Sequence, residues 1–263
     1  MINPFETKSQ VLEKLQDDEL YYGSYGKQYL SNSDIFKLLK DPTQFGKKQE
    51  ETLPMVQGRY FHTAMLEPEK LKDFKIIDAS TRSTKLYKEQ NDGNLLLLAK
   101  EKMHLDYMIS KMKGSLVMYD LIYAKGNEYE IPNIESIMGH MWKGKADIIN
   151  NNSFEVEING EVKLFPDGAI VDIKTSSDSS KFMYSARTYN YDSQAYIYQR
   201  MFNKPMIFLV ICKATNKLSI YDCSQEFIRL GQEKVEKATE VYNIFFSDDK
   251  SKNINSYIHT QTL

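Results

Sequence analysis

Two short apolar runs, each interrupted by charge, constrain this chain more than any other feature. The first is Lys143-Gly144-Lys145-Ala146-Asp147-Ile148-Ile149 and the second is Ala169-Ile170-Val171-Asp172-Ile173-Lys174-Thr175-Ser176. In an extended strand the side chains alternate between faces, so Asp172 and Lys174 share one face and Val171 and Ile173 the other. A carboxylate and an ammonium side by side on a buried strand are costly unless something uses them. A D-x-K triplet is common by chance, and a structural ion pair on a half-exposed sheet is the plain alternative. Asp147, on its own strand-like run, adds weight to a site. A neighbouring strand can bring both carboxylates to one hard divalent cation, whose usual partners are carboxylates and a substrate phosphate.

Composition narrows the partners. The chain has 263 residues, 27% of them charged and 41% hydrophobic, which suits a globular protein with a substantial core. The net charge of −2 means that any nucleic acid must be met by a local basic patch, not by the chain as a whole. No signal-like N-terminus and no apolar run of 18 residues is present, so a cytoplasmic protein without membrane contact is expected. The two cysteines, Cys212 and Cys223, are expected to be reduced thiols, and two are too few for a four-cysteine iron–sulfur cluster.

Along the chain, residues 1–30 are polar and tyrosine-rich without clear period. Ser31 and Asp34 form a capping-box-like start to a helix that Asp41-Pro42 stops. A second helix is predicted over Met55–Glu67, with His62 near its packed face; a lone histidine there is more often structural than a ligand. A β-like run at Phe74–Ile77 precedes a Ser/Thr/Lys/Arg-rich loop, and a long helix is predicted over Leu95–Met112. Strand-like alternation then begins at Tyr129. Asn159-Gly160 predicts a hairpin between Phe154–Ile158 and Val162–Phe165. Ser185–Phe202 reads as one helix, Met206–Ile211 as the most apolar strand, and Gln225–Phe246 as a final amphipathic helix before a polar tail at about 249–263. No domain boundary is visible, so one domain over 1–263 is expected.

These segments resemble a known group in order. Leu30-Ser31-Asn32-Ser33-Asp34, Asp41-Pro42 and Gly58–Glu69 are similar to the N-terminal half of RecE-type (exonuclease VIII-like) nucleases. Gly144-Lys145-Ala146-Asp147, Val171–Thr175 and Gln194-Ala195-Tyr196-Ile197-Tyr198 are similar to the metal-binding strands and the Q-xxx-Y helix of that group. The resemblance implies an α/β fold with a PD-(D/E)XK nuclease-like core, its central mixed, largely antiparallel sheet flanked by helices. It implies a phage or prophage recombination exonuclease that digests duplex DNA from 5′ ends with Mg2+, or Mn2+ as substitute, in a bacterial host's cytoplasm. The implied partners are double-stranded DNA ends, a single-strand annealing protein and further copies of the chain.

By the same resemblance, Asp147, Asp172, the Ile173 carbonyl and His62 hold metal, and Lys174 orients or activates the attacking water. Glu135 is the candidate extra carboxylate. Gln194 and Tyr198 support the site or touch the strand, while Lys143, Lys145, Lys181 and Arg187 could follow the DNA backbone. A structure-directed or single-strand nuclease of the same fold, and a non-catalytic DNA-binding recombination factor, remain the alternatives.

Overall fold

The structure, a computed structural model, describes residues 6–91 and 93–260. Two short helices open it, α1 (Lys8–Leu15) and α2 (Asp18–Tyr22), where the sequence predicted irregular chain. Local capping makes them: Asp17 Oδ1 accepts the Glu19 and Leu20 N–H groups at 2.7 and 3.1 Å. Val11, Leu15 and Tyr21 then pack with Tyr29 and Ile134 into a small separate cluster. The expected box caps α3 (Asn32–Lys40), with the Ser31 N–H donating to Asp34 Oδ2 at 2.9 Å. α4 (Leu53–Leu66) buries Val56, Tyr60, Phe61, Ala64 and Met65 and ends before Pro68.

The next segment departs from the sequence reading. β1 (Ile76–Ile77) pairs in parallel with β2 (Leu97–Leu98), with α5 (Lys85–Gln90) between them. Leu97 and Leu98 therefore belong to a strand, and the long helix, α6 (Ala99–Lys113), starts after them. α7 (Leu116–Tyr123) follows and was not anticipated.

The central sheet begins with the antiparallel pair β3 (Glu128–Ile137) and β4 (His140–Asn150). β5 (Phe154–Ile158) and β6 (Glu161–Phe165) form the predicted hairpin; Asn159 and Gly160 turn it at φ +55° and +82°. That hairpin is a sheet of its own and does not join the central sheet. β7 (Ala169–Ser176) instead returns beside β4. Two helices follow where one was expected, α8 (Phe182–Thr188) and α9 (Tyr191–Phe202), separated at Asn190, whose φ of +60° cannot continue a right-handed helix. β8 (Met206–Cys212), β9 (Leu218–Asp222) and α10 (Gln225–Phe245) complete the chain.

The sheet order is β3-β4-β7-β8-β9, with β7 and β8 parallel and every other neighbour antiparallel. The fold is thus the expected mixed, mostly antiparallel sheet flanked by helices. One face carries Val171, Ile173, Ile207, Leu209 and Ile211 against α4, α6 and α7. The other carries Ile170, Phe208 and Val210 against α3, α8, α9 and α10. Fully buried apolar residues of this size contribute roughly 1.5–3 kcal/mol each, so the sheet is a rigid base for whatever its polar positions do. Both cysteines are free thiols, and among the described residues no helix is long and apolar enough to cross a membrane.

Candidate active site

The charged positions of the sheet meet where its regular alternation fails. On β4, Trp142 and Ala146 pack on the α9 face, yet Ile148 packs on the α4 face. β3 does the same, with Ile131 on one face and Tyr129 on the other. The change of face falls at Asp147 on β4 and at Glu130 on β3. The register on either side, Tyr129↔Ile148 and Ile131↔Ala146, sets Glu130 opposite Asp147. Glu130 has φ +50°, a left-handed backbone costing an L-residue roughly 1–2 kcal/mol. Such strain persists only where the surroundings impose it, and it concentrates at functional positions.

On the other side of Asp147 the sheet forks. β4 and β7 pair from Asn150↔Ala169 to Ile148↔Val171 and stop there, just before Asp147 and Asp172 would face each other. The Asp147 carboxylate fills the gap, its Oδ2 accepting the Ile173 N–H at 2.9 Å. α9 props both branches through residues one turn apart. Gln194 Nε2 donates to Asp172 Oδ1 at 2.6 Å, and the Tyr198 hydroxyl donates to the Lys145 carbonyl at 3.1 Å and accepts the Lys145 N–H at 3.2 Å. Gly144 lets α9 lie this close, because a Cβ there would come within 2.7 Å of Tyr198 Cε1.

From the opposite face, α4 brings His62 in, with Nδ1 at 3.3 Å from Asp147 Oδ2. Ligand atoms of His62, Glu130 and Asp147 all lie within 4.8 Å of one another. They open into a cleft of about 930 Å³, also lined by Asp18, Glu67, Lys70, Lys143, Lys145, Gln194 and Tyr198. Asp172 lies deeper, 1% exposed, with Lys174 Nζ at 2.5 Å from its Oδ2. The contact is therefore a close buried ion pair on one carboxylate oxygen, with Gln194 on the other.

The model of the PDDEXK-like domain of unknown function, DUF3799, matches residues 37–252. The chain belongs to the PDDEXK-like family. Its fold is similar to a crystal structure described as a "Putative exonuclease" from Eubacterium rectale, with TM-score 0.57, 15% identity, and coverage of 94% of this chain and 95% of that one. A second solved structure, SSO0001, aligns with TM-score 0.35 and 14% identity over 87% of this chain and 84% of that one, too loosely to carry an argument. No curated protein matches the chain by sequence.

The acidic groups of this PDDEXK-like site hold one another's charge at a cost. Burial, then the charge of Asp147, pushes Glu130 up to about 8. Burial, again reinforced by Asp147, pushes Asp172 up to about 6 against the pull of Lys174. Burial works to discharge Lys174 as well, but Asp172 and Asp147 outweigh it and hold its pKa above the ordinary lysine value. Three carboxylates crowded in this way repel one another, and a divalent ion removes the repulsion. The mixed carboxylate–imidazole donors of His62, Glu130 and Asp147 fit such an ion.

The placements differ for several residues singled out in the sequence. His62 and Asp147 meet Glu130 in one cluster of ligand atoms, while Asp172, expected in that cluster, lies beside it with Lys174 and Gln194, and the Ile173 N–H and Tyr198 brace the fork. Glu135 does not: it pairs with Lys8 at 3.8 Å, far along β3, and Glu130 takes the place anticipated for it. The signal for Glu130 is its register opposite Asp147, which the sequence does not print. Lys143 and Lys145 line the cleft but are 7% and 8% exposed and engaged by α2, so neither is free to follow a DNA backbone in this arrangement. Arg187 is exposed on α8 and Lys181 pairs with Asp178 at 3.8 Å; neither lines the cleft.

Proposed function

We propose that this PDDEXK-like protein is a magnesium-dependent exodeoxyribonuclease acting on double-stranded DNA ends. It hydrolyses the strand from its 5′ end and leaves 3′ single-stranded tails for phage-type homologous recombination. The observation that carries the reading is the cluster of His62, Glu130 and Asp147 in an open cleft beside the buried Asp172–Lys174 pair.

His62, Glu130, Asp147 and Asp172, with the Ile173 carbonyl, are the residues to hold the ion. When bound, a divalent ion neutralises phosphoryl charge and orients the attacking and leaving oxygens. Lys174 stays charged beside Asp172, so it serves as a fixed cation that orients water and steadies developing phosphate charge, not as a proton acceptor. Gln194 fixes the Asp172 carboxylate, and Tyr198 fixes the peptide two residues before Asp147. Positioning of this kind makes up much of the catalysis of phosphate-ester hydrolysis.

End specificity rests on the resemblance to RecE-type nucleases and on the exonuclease description of the Eubacterium rectale neighbour. A net charge of −2 gives little general attraction to DNA, so a closed homo-oligomer around the duplex is the means of retaining it between cleavages, with an annealing protein receiving the tail. The test is digestion of linear and covalently closed circular duplex in Mg2+. Linear DNA is expected to disappear, with label released first from 5′ ends, while circles persist. Efficient cutting of circles would make the protein an endonuclease of the same fold, and binding without cutting would leave a non-catalytic recombination factor.

A further inference from the structure

The N-terminal helix α2 occupies part of the cleft in a way that the proposed chemistry does not use. Asp18 sits between two lysines: its Oδ1 accepts Lys145 Nζ at 2.5 Å and its Oδ2 accepts Lys70 Nζ at 2.9 Å. Lys145 stands on β4 only two residues before Asp147, and its side chain is 6% exposed. The Tyr21 ring covers the same ammonium at 4.7 Å.

Two oxygens on one carbon, each facing a separate ammonium, present the charge and acceptor pattern of two non-bridging oxygens of a phosphate. An interior lysine needs a counter-anion, which Asp18 supplies when the cleft is empty. The hold on that anion is slight. α2 is five residues long and buries only Tyr21, and the Asp18 side chain is 45% exposed. From these contacts we infer that Lys70 and Lys145 form a phosphate subsite for the DNA backbone next to the scissile position, and that Asp18 holds it closed until a phosphodiester displaces it. The inference rests on the nuclease reading for the nature of the ligand. It adds a binding element and an autoinhibitory contact.

Displacement of Asp18 frees Lys145 and leaves Lys70 shared with Glu67 at 2.6 Å, and each phosphate neutralised adds about 0.9 to the slope of log affinity against log salt. The experiment is fluorescence anisotropy of a labelled blunt duplex in Ca2+ across a salt series, with cleavage in Mg2+ measured in parallel. Asp18→Asn is expected to tighten binding about three- to tenfold at low salt and to steepen the slope by about 1. Adding Lys145→Met to Asp18→Asn is expected to abolish most of that gain. Lys70, whose side chain is 42% exposed, supplies a variant that leaves the core intact. Lys70→Met in the otherwise native chain is expected to flatten the slope by about 1. If Asp18 only staples the N-terminal helix, Asp18→Asn lowers stability and leaves the slope unchanged, and Lys70→Met leaves it unchanged too; either result overturns the inference. Native protein that binds duplex but never cuts it would instead overturn the nuclease reading, since the slopes are measured without cleavage.

Discussion

Replacing Lys174 by Met tests whether the D-x-K strand carries a buried ion pair under tension or an ordinary one. The Asp172 side chain is 1% exposed and that of Lys174 16%, with 2.5 Å between Nζ and Oδ2. After substitution Asp172 keeps only the Gln194 amide at 2.6 Å. Removing one partner of a buried pair costs roughly 3–5 kcal/mol. Protonation limits the loss, because carrying the carboxyl neutral costs about 1.4 kcal/mol for each pH unit above its solution value near 3.9. That ceiling is about 5 kcal/mol at pH 7.5 and about 1.5 kcal/mol at pH 5. The sign follows from a folded-state pKa raised above the unfolded one: the penalty is present at high pH and fades as pH falls towards the unfolded value. The native carboxyl, at about 6, already carries about 3 kcal/mol of that cost at pH 7.5, so urea unfolding of both proteins is expected to show a gap of about 2 kcal/mol at pH 7.5 that nearly closes at pH 5. Added Mg2+ is expected to narrow the gap at pH 7.5, since the ion replaces the missing cation. A gap below about 1 kcal/mol at pH 7.5, the scale of a surface pair, or one that ignores pH, would refute this picture of Asp172.

Two further outcomes depend on proton linkage. Glu130 is pushed up to about 8, by burial first and by Asp147 second, so a metal must displace its proton at neutral pH. Calorimetric titration with Mn2+ is expected to show release of close to one proton per ion at pH 7, and affinity falling up to about tenfold per pH unit below 8; pH-independent affinity would exclude Glu130 as a ligand. Lys143 is held down at about 8, chiefly by burial. The unfolded chain therefore binds more protons between about pH 8 and 10.4, and stability is expected to rise by up to about 3 kcal/mol across that window. Lys143→Met should remove the rise, and an identical slope in both proteins would contradict it.

What the sequence made legible was local. Asp172 and Lys174 announce themselves by breaking an apolar run at a spacing of two, Asn159-Gly160 by turn chemistry, and Ser31 with Asp34 by the capping box. What it hid was set by tertiary register. Glu130 and Glu135 are both acids on β3, and only the pairing of β3 with β4, together with the positive φ at Glu130, decides which one faces Asp147. The break at Asn190 was equally silent, because the apolar pattern continues across it and the turn is fixed by packing. Within it the Asn190 carbonyl accepts the Asn32 side-chain amide at 3.0 Å, and Lys234 reaches Asn190 and Asp192 at 3.1 and 2.9 Å. The lysines before Asp147 look like a DNA rim in sequence, but α2 folds over them.

The most direct measurement is single-turnover cleavage of an end-labelled linear duplex in Mg2+ by the native protein, Glu130→Gln and Glu135→Gln side by side. Loss of a ligand or charge at the reacting centre is worth roughly 3 kcal/mol, or about a hundredfold in rate. Glu130→Gln is expected to lose at least that much, while Glu135→Gln, which gives up only an exposed pairing with Lys8, cuts at close to the native rate. Full activity in Glu130→Gln, or loss in Glu135→Gln alone, would contradict a metal centre at the fork of β3, β4 and β7.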